Sequence, residues 1–313
     1  MDGNSKLFVI PELTTTFQMW LNRSTNFIAD KICPPVAVPN EMFYVWSADK
    51  SHLTIPGSTA RMGRAKASEG HVGRTTTLMG PLTEHARSGF ITEREYRVGG
   101  GSLSVENQVV ESLAGQMALV DENELATKMS DTTKITHYTT LSGGAQWSDH
   151  GNSNPFNDIT NAVQQQSTFS PMPPNTCWMS NDTWLQIVNH PDFLARLGLA
   201  QDRTMSEAKF LGLMQPYGIE KLFIGKVKYN AANPAQTANL SSVWGKHFWI
   251  GYVTDTPGQQ EVNGGYKFYL DGMRKVTREY MNNPPGNEIV NFDYYDYEII
   301  SPDVYYMLQT VIA

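Results

Sequence analysis

Three consecutive glycines, Gly99–Gly100–Gly101, stand directly before a segment of helical periodicity. Backbone N–H groups at such a junction can cradle a phosphate, because the first turn of a helix has unpaired donors and a positive dipole end. The run lacks both the Gly-x-Gly-x-x-Gly spacing of a dinucleotide site and the Gly-Lys-Ser/Thr ending of a P-loop. The reading that asks least of it is a hinge, for which glycine's conformational freedom is sufficient. The histidines (His52, His71, His85, His137, His150, His190 and His247) show no His-x-x-x-His spacing, so the sequence writes no metal set and implies no cofactor. There is no Gly-x-Ser-x-Gly elbow around a nucleophile. Acidic pairs such as Glu93/Glu95 and Asp293/Asp296 could act as general acid and base, but scattered surface carboxylates are far commoner. The expectation is a protein that is not an enzyme.

Charge offers a different kind of chemistry. Arg61, Arg64, Lys66, Arg74 and Arg87 crowd a stretch with little to bury, while the C-terminal third carries Glu288, Asp293 and Asp296. Complementary charge across a repeated interface sets register and partner more than raw affinity. Together with Trp46, these residues are the candidate inter-subunit contacts. The net charge of −7 argues against a protein that coats nucleic acid, since phosphate binding needs clustered Lys and Arg. Cys33 and Cys177 lie far apart and read as reduced thiols. Met1–Ile10 lacks the pattern of a signal peptide, and no apolar run approaches the roughly 20 residues of a membrane helix, so no membrane partner is expected.

The elements that would position these groups are mixed. Residues 1–42 have weak periodicity, with Phe17, Trp20, Leu21, Phe27 and Ile28 suggesting a short amphipathic helix ahead of an extended proline-rich stretch. Phe43–Tyr44–Val45–Trp46 and Thr75–Thr76–Thr77–Leu78–Met79 read as strands around a glycine-marked middle, which suits a projecting hairpin. Gly89–Val98 continues as strand. From about Ser104 to Met129 the apolar positions Val105, Val109, Leu113, Met117, Val120 and Leu125 predict one long helix, with Ser104 as N-cap and Glu106 in the first turn. Gly115 interrupts it and marks a point of close packing or bending. Downstream, predicted helices begin at Asn154–Pro155, Thr183, Pro191 and Glu207. Predicted strands cover Thr176–Met179, Glu220–Tyr229, Phe248–Val253, Tyr266–Leu270, Ile289–Tyr297 and Tyr305–Ile312. Helix and strand without strict βαβ repetition indicate an α+β fold.

The order of these parts, with Leu141–Ser142–Gly143 and Gln146–Trp147–Ser148–Asp149 leading to Pro155, resembles the major capsid proteins of tailed double-stranded-DNA bacteriophages, the Hong Kong 97-type fold. The resemblance implies an N-terminal arm over 1–42, an E-loop β-hairpin over 43–98 and a peripheral domain with a spine helix over 99–150, completed by about 255–295. An axial domain over 151–254, completed by about 296–313, follows. It implies hexamers and pentamers of this chain in an icosahedral head that encloses DNA without reading its sequence, with Gly99, Gly100, Gly101 and Gly115 as hinges. A portal, a separate scaffolding protein and a decoration protein are the implied partners, and the virion the implied location, after synthesis in a bacterial cytoplasm. Within the same fold the alternative is an encapsulin-type nanocompartment shell. From another class, the alternative is a cytosolic α/β enzyme binding a phosphorylated substrate at Gly99–Gly101.

Overall fold

The computed structural model describes residues 8–23, 26–48, 74–98, 102–197, 204–233, 236–258 and 263–313. In chain order its first elements are strand β1 (Phe8–Val9), helices α1 (Pro11–Arg23) and α2 (Ala29–Ile32), and strands β2 (Pro35–Val38), β3 (Phe43–Ala48), β4 (Arg74–Met79) and β5 (Thr83–Thr92). Helices α3 (Glu93–Val98) and α4 (Ser102–Ser130) follow, then β6 (Tyr138–Thr140), α5 (Pro155–Phe169), β7 (Thr176–Ser180), α6 (Asn181–Val188), α7 (Pro191–Arg196) and α8 (Glu207–Met214). The chain closes with β8 (Lys221–Gly225), β9 (Lys228–Asn230), β10 (Leu240–Ser242), β11 (Phe248–Gly251), β12 (Gly265–Leu270), β13 (Lys275–Asn282), β14 (Pro285–Ile299) and β15 (Tyr305–Gln309).

Two sheets carry the structure. The first runs β1-β13-β14-β12-β2, with β5 also paired to the long β14. The second runs β6-β15-β11-β7-β8. In the second sheet both faces are buried, and the two-residue period of a strand sorts its side chains between two cores. Cys177, Met179, Phe248, Ile250, Tyr306 and Leu308 face α5 to α8. Trp178, Trp249, Tyr305 and Met307 face the other way, onto the C-terminal third of α4 and the Tyr295–Tyr297 stretch of β14. The β3–β4 pair forms a separate two-stranded ladder from Phe43↔Met79 to Ala48↔Arg74.

Helix α4 is 29 residues, about 43 Å at 1.5 Å per residue. It ends where Asp131 accepts the Thr133 backbone N–H at 2.9 Å, a local turn that competes with further helix. Its buried face rotates along its length. Glu106, Val110, Leu113, Ala114 and Met117 are buried in the first half, whereas Ala118, Glu122, Leu125, Ala126 and Met129 are buried in the second. Val120, a member of the apolar stripe that predicts the helix, is 47% exposed. It lies about three turns after Val109, on the side that the first half covers and the second half leaves open.

Several local expectations are corrected. The strand expected over Gly89–Val98 stops at Thr92, because Thr92 and Glu95 form a reciprocal capping box that starts α3: Glu95 accepts the Thr92 N–H at 2.7 Å, and Thr92 Oγ1 accepts the Glu95 N–H at 3.3 Å. Helix α6 begins at Asn181 rather than at Thr183, and is capped by Ser180, whose Oγ accepts the Thr183 N–H. Glu220–Tyr229 holds two strands, β8 and β9, instead of one. Helix α4 begins at Ser102, so Glu106 lies beyond its first turn. The N-terminal helix is α1, and Leu13 and Phe17 seat it against α4 in a core shared with Ile91, Val276 and Ile289.

The rotation of the α4 face yields a paired prediction. Leu113→Ala removes a buried side chain beside Gly89 of β5 and is expected to cost about 2–5 kcal/mol. Val120→Ala is expected to stay within about 0.5 kcal/mol, as an exposed substitution does. Urea unfolding of the two variants checks both, and equal destabilisation would refute the rotated face.

Candidate functional site

The inner face of α4 carries acids as well as apolar residues, and each acid is met by a different part of the chain. Near its start, Glu106 accepts the Tyr96 hydroxyl at 2.9 Å and pairs with Arg278 of β13 at 3.0 Å. In the middle, Asp121 meets Lys267 of β12 at 2.6 Å, and Lys267 also reaches Asp30 of α2 at 3.2 Å. The Lys267 side chain is 4% exposed and lies over the rings of Tyr295 and Tyr297. Burial works against its charge, but Asp121 and Asp30 outweigh that and hold the ammonium above its usual range. Near the C-terminus, Lys128 binds Glu124, Asp296 and the Tyr297 carbonyl. Along β14, alternate residues Ile289, Asn291, Asp293, Tyr295 and Tyr297 are buried, and Asn291 donates to the Val110 carbonyl of α4 at 3.3 Å.

The residues singled out in the sequence fall into three groups. Arg61, Arg64, Lys66, Gly99, Gly100 and Gly101 lie outside the described residues. Trp46 is in β3 opposite Thr76, Arg74 opens β4 opposite Ala48, and Gly115 sits within an unbroken α4. Arg87 is exposed on β5, opposite Asn291, and lines a cleft of about 330 Å³ with Met117, Val120 and Tyr295. Glu288 is half-buried on β14 between Phe90 and Glu279. Asp293 and Asp296 do not point outward as expected. Asp293 is 4% exposed and bound to Arg274 at 2.6 Å, and Asp296 is taken up by Lys128. The strand period puts Asp293 on the same face as Tyr295, toward α4.

Sequence reasoning missed Asp121, Glu122, Lys267 and Arg274. The available signal was polar: Asp121–Glu122 break the apolar stripe of a helix, and Lys267 interrupts the aromatic run Tyr266–Leu270. The two cysteines are free and buried, and burial pushes the Cys33 thiol up to about 12, leaving it inert. Among the described residues no cluster of three or more His, Cys, Asp or Glu could hold a metal ion. Among them, too, no helix is long and apolar enough to cross a membrane.

No protein-family model matches the chain. It is 26% identical over 251 residues to the major capsid protein of Pseudomonas phage JBD67, spanning 78% of this chain and 77% of that one. Among solved structures, a phage-related protein from Bordetella bronchiseptica superposes with a TM-score of 0.76 at 20% identity, over 97% of this chain and 98% of that one. The capsid of cyanophage P-SCSP1u superposes with a TM-score of 0.58 at 8% identity, over 90% of this chain and 88% of that one. The two-sheet body around a long helix is therefore the Hong Kong 97-type capsid fold. The chain is a relative of phage major capsid proteins.

Removing the cation at the centre of the helix tests how the junction is held. Lys267→Met leaves Asp121 buried without its partner and is expected to destabilise the chain by about 3–5 kcal/mol. Adding Asp121→Leu to that variant is expected to recover most of the loss, because an apolar pair can replace a buried ion pair. Urea midpoints of the wild type, both single variants and the double variant give the coupling. A Lys267→Met chain within about 1 kcal/mol of wild type would show that the pair is not a structural element.

Proposed function

We propose that this chain is the coat subunit of the icosahedral head of a tailed phage, assembled as hexamers and pentamers around double-stranded DNA. The relation to a phage major capsid protein over three quarters of both chains carries the reading. The net charge of −7 supports a wall that encloses DNA without gripping its phosphates. The role is structural, with no reaction to catalyse and no cofactor, and it places the chain in the virion. A portal, a scaffolding protein and a decoration protein are the partners such a role calls for.

For the contacts between subunits, we assign the basic residues Arg61, Arg64, Lys66 and Arg74, together with Trp46, to a neighbour's surface. Asp293 and Asp296 already have partners inside the chain, which leaves Glu288 as the acid from the original set to meet them. Among the described residues neither Arg87 nor Glu288 takes part in an ion pair, which suits both to a neighbour. Gly99–Gly101 and Gly115 are the proposed points of adjustment as the shell changes shape.

Electron microscopy of the overexpressed chain tests the reading. Large shells are expected. Small uniform shells filled with a protein cargo would favour an encapsulin-type compartment, and a monomer or small oligomer would favour the enzyme class. The contact assignment has its own test in Arg61→Glu combined with Arg64→Glu. The fold should survive by circular dichroism, since exposed charges contribute little to subunit stability. Particles should be lost in sedimentation, since like charges facing each other at an interface cost several kcal/mol. Normal particles from that variant would show that the basic cluster is merely solvated.

A further inference from the structure

Between β6 and α5 the chain turns over residues 149–153 and lies against the start of α7, and one imidazole joins the two. His190 is fully buried. Its Nδ1 accepts the Asp192 backbone N–H at 3.2 Å and so caps α7. Its Nε2 lies 2.9 Å from Ser153 Oγ, whose own hydrogen goes to the Asp149 carbonyl at 2.7 Å. A carbonyl oxygen only accepts, and a hydroxyl has one hydrogen to give. Ser153 therefore accepts from His190, which fixes the ring as the neutral tautomer with its proton on Nε2. A second proton, on Nδ1, would point at the Asp192 N–H.

The charged and titratable groups around the ring do not compensate such a proton. From the turn come Asp149 and His150, from α5 Asp158, and from α7 Asp192 and Arg196. His150 meets His190 edge-on with ring centroids 5.0 Å apart, and a charge on either ring works against a charge on the other. Asp192 is occupied by Arg196 at 3.3 Å and by the Phe156 N–H at 3.1 Å. Asp158 accepts the Trp147 indole N–H, while Asp149 accepts the Gly151 N–H and the Asn152 amide. Among the described residues no carboxylate makes an ion pair with His190, whose side-chain partners are Ser153 and the Asp192 N–H.

We propose that His190 is an acid-sensitive clamp: the neutral imidazole ties the turn over 149–153 to the start of α7, and protonation of Nδ1 releases it. The incoming proton takes the lone pair that now accepts the Asp192 N–H, so the cap breaks and the imidazolium is left buried without a counter-charge. Linkage sets the direction. Burial, and after it His150, holds the ring below the usual histidine range against the smaller pull of Asp192. In the opened state the ring would titrate near about 6.5. The clamp is therefore at full strength above about 6.5 and weakens as pH falls below it, because the opened form takes the proton first. Trp147 and Phe193 anchor the two sides in one core, so the release is a local opening rather than unfolding. The clamp lies within one chain and its test does not depend on shell formation.

Hydrogen–deuterium exchange of the peptides 147–154 and 190–196 in the full-length chain, divided by the intrinsic chemical rate at each pH, tests the clamp. Protection is expected to hold down to about pH 7 and to fall severalfold by about pH 5. His190→Asn keeps an N-cap acceptor that cannot take a proton, and is expected to show no step. His150→Gln is expected to keep a step, which separates the two rings. Proton–nitrogen correlation spectra of the imidazoles give a second reading: at about pH 7.5 the His190 ring should carry its proton on Nε2 alone. A flat wild-type profile, a step that survives in His190→Asn or vanishes in His150→Gln, or a proton found on Nδ1 at that pH would overturn the proposal. Should His190→Asn fail to fold, the wild-type spectra decide, since Nδ1 must take its proton over the same pH range as the step.

Discussion

One long helix has to bury two different faces, and the architecture is arranged around that demand. The first half of α4 is covered by α1, β5, β13 and β14, through Val110, Ala114, Ile91, Val276 and Ile289. Its last turns are covered instead by α2 and by the Trp178, Trp249, Tyr305 and Met307 face of the second sheet. A helix of this length in isolation has a marginal stability set by propensity, so tertiary packing must hold it along both halves. The two sheets are thereby joined through a common strut. Gly89 fits this constraint, because a Cβ there would sit 2.7 Å from the Val109 side chain. The absence of a side chain lets β5 approach the helix closely.

The acids on the inner face of α4 carry the second part of the design. A buried ion pair is a weak source of net stability, but breaking one is costly. Glu106 and Asp121 find cations on β13 and β12, Arg278 and Lys267, while Lys128 of α4 itself carries Glu124 and reaches Asp296 of β14. Glu122 finds N–H groups instead. Such partners fix which strand lies over which turn of the helix, a register that apolar contacts alone would specify poorly.

The fold class and the long helix were legible in the sequence, since a 3.6-residue stripe over some seven turns is hard to produce any other way. Helix α5 was legible too, because Asn154 and Pro155 carry its start. The rotation of the α4 face was not, because each half of the stripe looks regular and only the change of partner reveals the turn. Val120 was misplaced for that reason. Asp293 and Asp296 were read as surface acids because a strand's period places them but does not say which face is covered. The Thr92–Glu95 capping box was written in the chain and overlooked, hidden by the β-branched residues before it. The central junction of Asp121, Glu122 and Lys267 joins residues more than a hundred positions apart, which no local pattern can pair.

If α4 is the strut shared by both sheets, the unassembled chain should lose its helix and its two sheets together. Urea unfolding followed in parallel by far-ultraviolet circular dichroism and by tryptophan fluorescence is the direct measurement. The fluorescence reports mainly the second sheet and its flanks, where Trp147, Trp178, Trp184, Trp244 and Trp249 are buried. Coincident transitions are the predicted result. A fluorescence transition complete while most of the helical signal persists would show that the two halves fold independently, and would contradict the strut.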